Sequence, residues 1–254
     1  MNELVKLIRE SIPVLPCPCV NISGGIDSTI ILHHLREKFK GEIYTYTVGF
    51  PNQPTEFEVA RKVAKHYGST HKEIIIKRLL DTYTKILPYF SQPRFNLWPY
   101  WLAVEAFHDQ RKSCYIGEGG DEHFGGYWYK PKQTVMEHWS NFFTYVLPTY
   151  QTCYDKVGIN LVVPFHPNNL SWRKTFKFYD ETQQKTFLRE AYKNVLPKFV
   201  VKRQKYNGRF SYWVLWEREL QKFYPDSNPE TEDDIRLLLN DWTTREWVTV
   251  KSIA

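Results

Sequence analysis

Asn21-Ile22-Ser23-Gly24-Gly25-Ile26-Asp27-Ser28-Thr29 joins the apolar run Cys19-Val20-Asn21-Ile22 to the helix-like Thr29-Ile30-Ile31-Leu32-His33-His34-Leu35. The stretch predicts a strand, a sharp turn and a helix, with the turn shaped to hold an anion. Gly24 and Gly25 let the backbone bring successive N–H groups up to a phosphate, Ser23 and Ser28 add hydroxyls, and the new helix points its positive end at the same place. A carboxylate in such a cradle repels the ligand unless a cation lies between them. Asp27 therefore predicts a hard metal such as Mg2+, which keeps phosphate oxygens and water as its other ligands. The plainer alternative is a glycine-containing strand-to-helix turn capped by Ser28.

Neither G-x-x-x-x-G-K-[ST] nor G-x-G-x-x-G occurs in the chain. Ser-Gly-Gly-x-Asp-Ser after a strand resembles instead the pyrophosphate loop of the ATP pyrophosphatases, enzymes that split ATP between its α and β phosphates. A second cluster, Gly117-Glu118-Gly119-Gly120-Asp121-Glu122-His123-Phe124-Gly125-Gly126-Tyr127, is similar to the Gly-Glu-Gly-Ser-Asp-Glu-x-Phe-Gly-Gly-Tyr segment of asparagine synthetases and the related β-lactam synthetases. Acids set among glycines are poor material for a packed element, so a loop lining a site is expected, with a solvated acidic turn as the alternative. A short strand, Cys114 to Ile116, precedes it. Two loops at the ends of neighbouring strands would form one cleft.

A third segment, Leu196-Pro197-Lys198-Phe199-Val200-Val201-Lys202-Arg203-Gln204-Lys205, resembles the Leu-Pro…Arg-Gln-Lys stretch of the same synthetases, whose last Lys faces the nucleotide. Lys205 is the match. A transition state that loads charge onto an α-phosphate needs a cation that the first loop lacks, although an ordinary basic surface would read the same way. Val163-Pro164-Phe165-His166 is similar to the family's Arg-Val-Pro-Phe-Leu-Asp, with Val162 in place of Arg. The resemblance runs from about Val20 to Phe210. It implies that Ser23, Gly24, Gly25, Asp27, Ser28 and Gly117 hold ATP and its pyrophosphate, with main-chain groups near Val48 and Gly49 reading adenine. It further implies that Asp27 and Asp121 hold Mg2+, that Arg94 touches phosphate, and that Lys205 and Glu118 are catalytic. Ile116 for Ser, Gly120 for Ser, His123 for an apolar residue and Val162 for Arg depart from the family, and weaken aspartate as substrate more than they weaken the chemistry.

Strand and helix alternate up to about residue 130, and helix dominates afterwards. Expected strands are Cys19 to Ile22, Ile43 to Val48, Lys72 to Ile76 and Cys114 to Ile116. Expected helices are Ser28 to Phe39, Glu56 to Tyr67, Trp98 to His108, Glu181 to Val195 and Asp233 to Leu239, with an amphipathic start over residues 1 to 10. The fold class is α/β: a parallel sheet with helices on both faces, of the PP-loop, adenine nucleotide hydrolase-like kind, with a mostly helical C-terminal part. One domain is expected over 1–254, with 1–130 binding nucleotide and 131–254 contributing the catalytic Lys.

No apolar run reaches membrane-spanning length and the start is no secretion signal, so a cytoplasmic protein with no membrane partner is expected. Cys17, Cys19, Cys114 and Cys153 form neither a disulfide framework nor a C-x-x-C zinc site, and buried thiols are expected. His33-His34 should straddle a helix surface. Lysine and arginine total 34 against 28 acids, a formal charge of +6, and there are 17 tyrosines and nine tryptophans. Charge and aromatics keep nucleic acid open as a partner, though not the favoured one.

The reading implied by the resemblance is an ATP- and Mg2+-dependent synthetase that forms AMP and pyrophosphate, adenylating a carboxylate and passing the acyl group to an amine. Glutaminase domains of asparagine synthetases carry a Cys after the initiator Met, whereas residue 2 here is Asn2 and the loop begins at Ser23. Ammonia, a small-molecule amine or a separate amine-supplying subunit is therefore expected. A PP-loop enzyme modifying a nucleic-acid base, and a non-catalytic ATP-binding subunit, stand as the alternatives.

Overall fold

The computed structural model describes residues 2–51, 54–77, 86–90, 97–127, 133–203, 219–225 and 232–253. The first half runs α1 (Asn2–Glu10), β1 (Pro18–Asn21), α2 (Ile26–Lys38), β2 (Tyr44–Gly49), α3 (Pro54–His66), β3 (Thr70–Ile75), α4 (Trp98–His108), β4 (Ser113–Tyr115) and α5 (Gly120–Phe124). The second half adds α6 (Val135–Asn141), a π-helical stretch Phe142–Val146, α7 (Leu147–Asp155), β5 (Asn160–Val162), α8 (Trp172–Thr175), α9 (Thr186–Tyr192), α10 (Lys198–Val201) and α11 (Glu232–Ile253).

The five strands pair in the order β3-β2-β1-β4-β5, and all four pairings are parallel. Successive strand residues point to opposite faces, and each face has its own core. Cys19, Tyr46 and Cys114 pack with Leu102 and Ala106 of α4, Cys153 and Tyr154 of α7, and Leu239 and Trp242 of α11. Val20 and Tyr115 pack with Leu4 and Ile8 of α1, Ile31 and Leu35 of α2, Val63 of α3 and Leu188 of α9. A sheet covered on both sides explains why the central β1 reads as an apolar run rather than as clean alternation. Fully burying a side chain of the size of Ile31 or Leu35 contributes roughly 1.5–3 kcal/mol, so the two layers together hold the sheet.

From β1 the chain steps outward to β2 and β3, then returns to the other side of β1 as β4. The order reverses there, and in open parallel sheets the crevice at such a reversal, outside the carboxyl ends of the strands, is where ligands bind. The segments leaving β1 and β4 are the two glycine-rich loops.

Four elements differ from the sequence expectation, the first being the acidic segment, expected as a loop but helical over Gly120–Phe124 with Glu122, His123 and Phe124 buried. β5 is a three-residue strand in the region read as mainly helical, pairing Ser113 with Asn160 and Tyr115 with Val162. The helix expected from Glu181 starts at Thr186 because residues 180–185 wrap around the Asp180 carboxylate. That carboxylate accepts from the backbone N–H of Thr182 at 2.9 Å and of Thr186 at 2.7 Å, capping α9 late. The last helix is longer than Asp233 to Leu239, extending to Ile253.

His34 is buried rather than straddling a surface. α2 is enclosed within the second core, and the His34 ring is held by Glu37 through Nδ1 and by the Tyr192 hydroxyl through Nε2, each at 2.8 Å. Burial outweighs the Glu37 carboxylate and lowers its pKa to about 4. Cys19, Cys114 and Cys153 are buried thiols as expected, whereas Cys17 is exposed.

Candidate active site

The first loop forms the turn that its residue types demand. Gly24 has φ +70°, and a methyl at that position would press on Val59 of α3 at 2.6 Å. Gly25 is the N-cap of α2, so the amides that follow it point out of the helix end towards the crevice. The Ser28 hydroxyl donates to the Gly25 carbonyl and accepts from the Ser23 N–H, both at 3.4 Å, which ties the loop across itself.

The second loop closes onto the first through its glycines. A methyl on Gly117 would sit 3.1 Å from the Ser28 nitrogen, and one on Gly120 would lie 2.6 Å from Asp27 Oδ1. The Ser that the family carries at position 120 would therefore be crowded, and Gly120 lets the acidic loop approach Asp27. At Gly126 an added methyl would overlap the Asp121 carboxylate and meet the stem of Lys185.

A cavity of about 370 Å³ opens between the loops. Ser23, Gly25, Asp27 and Ser28 line it from β1 and α2, Val48 and Gly49 from the end of β2, and Gly117, Glu118 and Asp121 from the segment after β4. The structure thus brings together every described residue expected at the site, with Gly24 shaping the turn from behind. Arg94 and Lys205 lie outside the described residues. Of the departures from the family, Ile116 lines the cavity. His123 is buried away from it, with Nδ1 2.9 Å from the Thr175 hydroxyl and its ring against Trp139 and Trp172. Burial lowers the His123 pKa to about 4.

Sequence reasoning missed four side chains. Lys185 Nζ is 2.5 Å from Asp27 Oδ2 and 2.5 Å from Asp121 Oδ1, with only 4% of its side chain exposed. The structure places it at the N-cap of α9, where a cation opposes the helix dipole, whereas a helix expected from Glu181 hid that position in the sequence. Arg203 reaches back from beyond α10, donating to the Ser23 carbonyl at 3.2 Å and pairing with Glu56 of α3. Burial outweighs that pairing and raises the Glu56 pKa. Arg189 also lines the cavity. The Tyr150 hydroxyl of α7 donates to Glu118 Oε1 at 3.1 Å. Burial first, and the Glu118 charge second, hold the Tyr150 phenol well above its ordinary pKa, so it remains a donor that orients one carboxylate oxygen.

Asp27 and Asp121 converge on a single cation, and Asp27 Oδ1 is buried with no hydrogen-bond partner among the described residues. That donor set fits a hard divalent ion that prefers carboxylate oxygens.

Glu122, beside Asp121, faces inward and is bonded by the Tyr127 hydroxyl. Burial, reinforced by the Asp121 charge, lifts its pKa to about 8. A carboxyl raised in the folded state favours folding most below its unfolded pKa, and that contribution is lost as pH rises towards the folded value. Glu122→Gln should therefore match the wild type near pH 4 and be more stable by up to a few kcal/mol near pH 9. Urea midpoints at the two pH values check this. A variant less stable than wild type at the higher pH would mean that the charged carboxylate is needed there.

A parallel sheet with a glycine-rich, helix-capping loop at its reversal point and facing carboxylates defines an open α/β protein. The chain belongs to the asparagine synthase family, whose profile matches residues 18–150, just over half of it. Asparagine synthetase 1 of Bacillus subtilis is 31% identical over 147 residues, covering 50% of this chain and 22% of that protein. Argininosuccinate synthase of Campylobacter lari is 41% identical over 63 residues, covering 25% of this chain and 15% of that protein. The chain thus spans less than a quarter of the length of these two relatives. Among solved structures, NMN synthetase from Francisella tularensis is 15% identical, with coverage of 100% of this chain and 94% of that one, and a TM-score of 0.41. Among the described residues, no helix is long and apolar enough to cross a membrane.

Proposed function

We propose that the protein is an ATP-dependent amide synthetase that adenylates a carboxylate and transfers the acyl group to ammonia or another amine. The observation that carries this reading is the meeting of the Ser23–Ser28 loop with Glu118 and Asp121 around one cavity at the sheet's reversal point. The loop suits the two phosphates that leave together, because its amides, hydroxyls and helix end are all donors to anionic oxygen. A carboxylate oxygen of the substrate attacks the α-phosphorus, the bond to the β-phosphate breaks, and pyrophosphate remains in the loop. Lys205 is assigned to the charge that grows on the α-phosphate in that step.

Asp27 and Asp121 are the residues to hold Mg2+, which when bound neutralises phosphate charge and favours departure of the pyrophosphate. Glu118, oriented by Tyr150, accepts a proton from the amine as nitrogen attacks the acyl carbon and AMP departs. Val48 and Gly49 at the end of β2 offer main-chain groups to adenine. The nitrogen source is free ammonia, a small-molecule amine or a separate subunit that delivers one, and the site of action is the cytoplasm.

The test is a pyrophosphate-release screen across carboxylates, with and without ammonia, with the nucleotide product identified. AMP and pyrophosphate formed in a carboxylate-dependent manner are expected. ADP as the product would overturn the reading, since a kinase-like route passes through an acyl phosphate.

A further inference from the structure

We propose that the Lys185 ammonium occupies the metal position of the nucleotide-free protein, so that divalent cation and nucleotide can enter only together. This rests on the ATP-dependent reading of the same site and adds a rule for how the site loads.

Lys185 combines three locally unfavourable choices. Its side chain is 4% exposed, and burying a cation is costly unless opposite charges surround it. It is the N-cap of α9, where the helix dipole opposes positive charge. Its φ is +56°, a left-handed conformation that a side chain with a Cβ rarely adopts. Strain of this kind persists only where the surroundings over-determine it. Here the backbone N–H of Lys185 bonds to the Gly125 carbonyl at 3.2 Å, and the side-chain stem runs so close over Gly126 that a methyl there would lie 2.6 Å from Cε. Both restraints aim Nζ at one point, 2.5 Å from an oxygen of each carboxylate.

That point is where a divalent ion shared by Asp27 and Asp121 would have to sit. The ammonium and the ion cannot be there together, because the ammonium already lies against an oxygen of each carboxylate and two like charges at that separation repel strongly. Expelling Lys185 with nothing to receive it would leave a buried cation without its partners. Among the described residues, the other cations lining the cavity are engaged elsewhere: Arg203 with Glu56 and the Ser23 carbonyl, and Arg189 with the backbone carbonyls of Gln184 and Val201. Phosphates in the Ser23–Ser28 loop change this balance. They give the ammonium anionic oxygens to move to and free both carboxylates for the ion. Nucleotide and metal are then coupled, and by linkage each raises the affinity for the other by the same factor.

Mn2+ serves as the probe, its bound fraction read by electron paramagnetic resonance on the full chain, with and without a non-hydrolysable ATP analogue. In the wild type, Mn2+ should bind at least about tenfold more tightly with the analogue than without it. Lys185→Met should bind Mn2+ without nucleotide at least about tenfold more tightly than the wild type, and Mn2+ alone should raise its melting temperature. Equal Mn2+ affinity of the wild type with and without the analogue overturns the inference while leaving the ATP reading intact. So does a folded Lys185→Met protein with no gain in nucleotide-free affinity. No Mn2+ binding even with the analogue overturns both. Should Lys185→Met fail to fold, Lys185→Gln, which also removes the ammonium, is measured in its place against the same two outcomes.

Discussion

Asp27→Asn and Asp121→Asn should each lower carboxylate-dependent pyrophosphate release by about a hundredfold or more, a loss of roughly 3 kcal/mol of transition-state stabilisation. An Asn side chain keeps the shape of Asp but offers one neutral oxygen, and its amide N–H donors repel a cation where a carboxylate attracts it. The loss falls on the step in which negative charge moves onto the departing pyrophosphate, because that charge needs the cation most. The same substitutions remove one of the two partners of Lys185, and leaving a buried charge half-paired typically costs about 3–5 kcal/mol of stability. Activity must therefore be compared at a temperature where circular dichroism shows each variant folded. Near-normal turnover in both folded variants would remove the two carboxylates from the mechanism.

The site was legible where function and local backbone demands coincide. Gly24, Gly25, Asp27 and Ser28 are contiguous, and each residue type answers a requirement of a strand-to-helix anion turn, so reading them in order gives the loop. Glu118 and Asp121 were legible as site residues because acids set among glycines suggest a cavity wall, although the segment read as a loop packs as a short helix from Gly120 to Phe124. Lys185 was not, since it arrives from a distant part of the chain and its partners are chosen by tertiary contact. Its immediate sequence, Gln183-Gln184-Lys185-Thr186, reads as an ordinary polar helix start. Tyr150 was hidden for the same reason, one tyrosine among 17. β5 is three residues long and takes its identity from pairing with β4, so no periodicity could reveal it. His34 went astray because two adjacent histidines on a helix suggest a polar face, whereas α2 is enclosed and Glu37 and Tyr192 satisfy the ring inside.

Glu118→Gln should separate the two halves of the reaction. An enzyme that adenylates a carboxylate exchanges labelled pyrophosphate into ATP when its carboxylate is present and no amine is added, because the first step reverses in the closed site. Glu118 faces the cavity from the carboxyl end of β4, and Tyr150 donates to one of its oxygens. Glutamine at 118 retains an oxygen to accept that bond, so the geometry of the wall should survive. It cannot take a proton from the attacking amine at neutral pH. General-base assistance of this kind is worth roughly a hundredfold to ten-thousandfold, so amide formation should fall by that order while exchange stays within a few-fold of wild type. Tyr150→Phe removes the orienting donor and leaves the carboxylate in place, so it should reduce amide formation less than Glu118→Gln does, again sparing exchange. Exchange abolished in a folded Glu118→Gln protein would move Glu118 to the adenylation step. A Tyr150→Phe defect confined to exchange would show instead that the tyrosine serves the nucleotide side of the cavity.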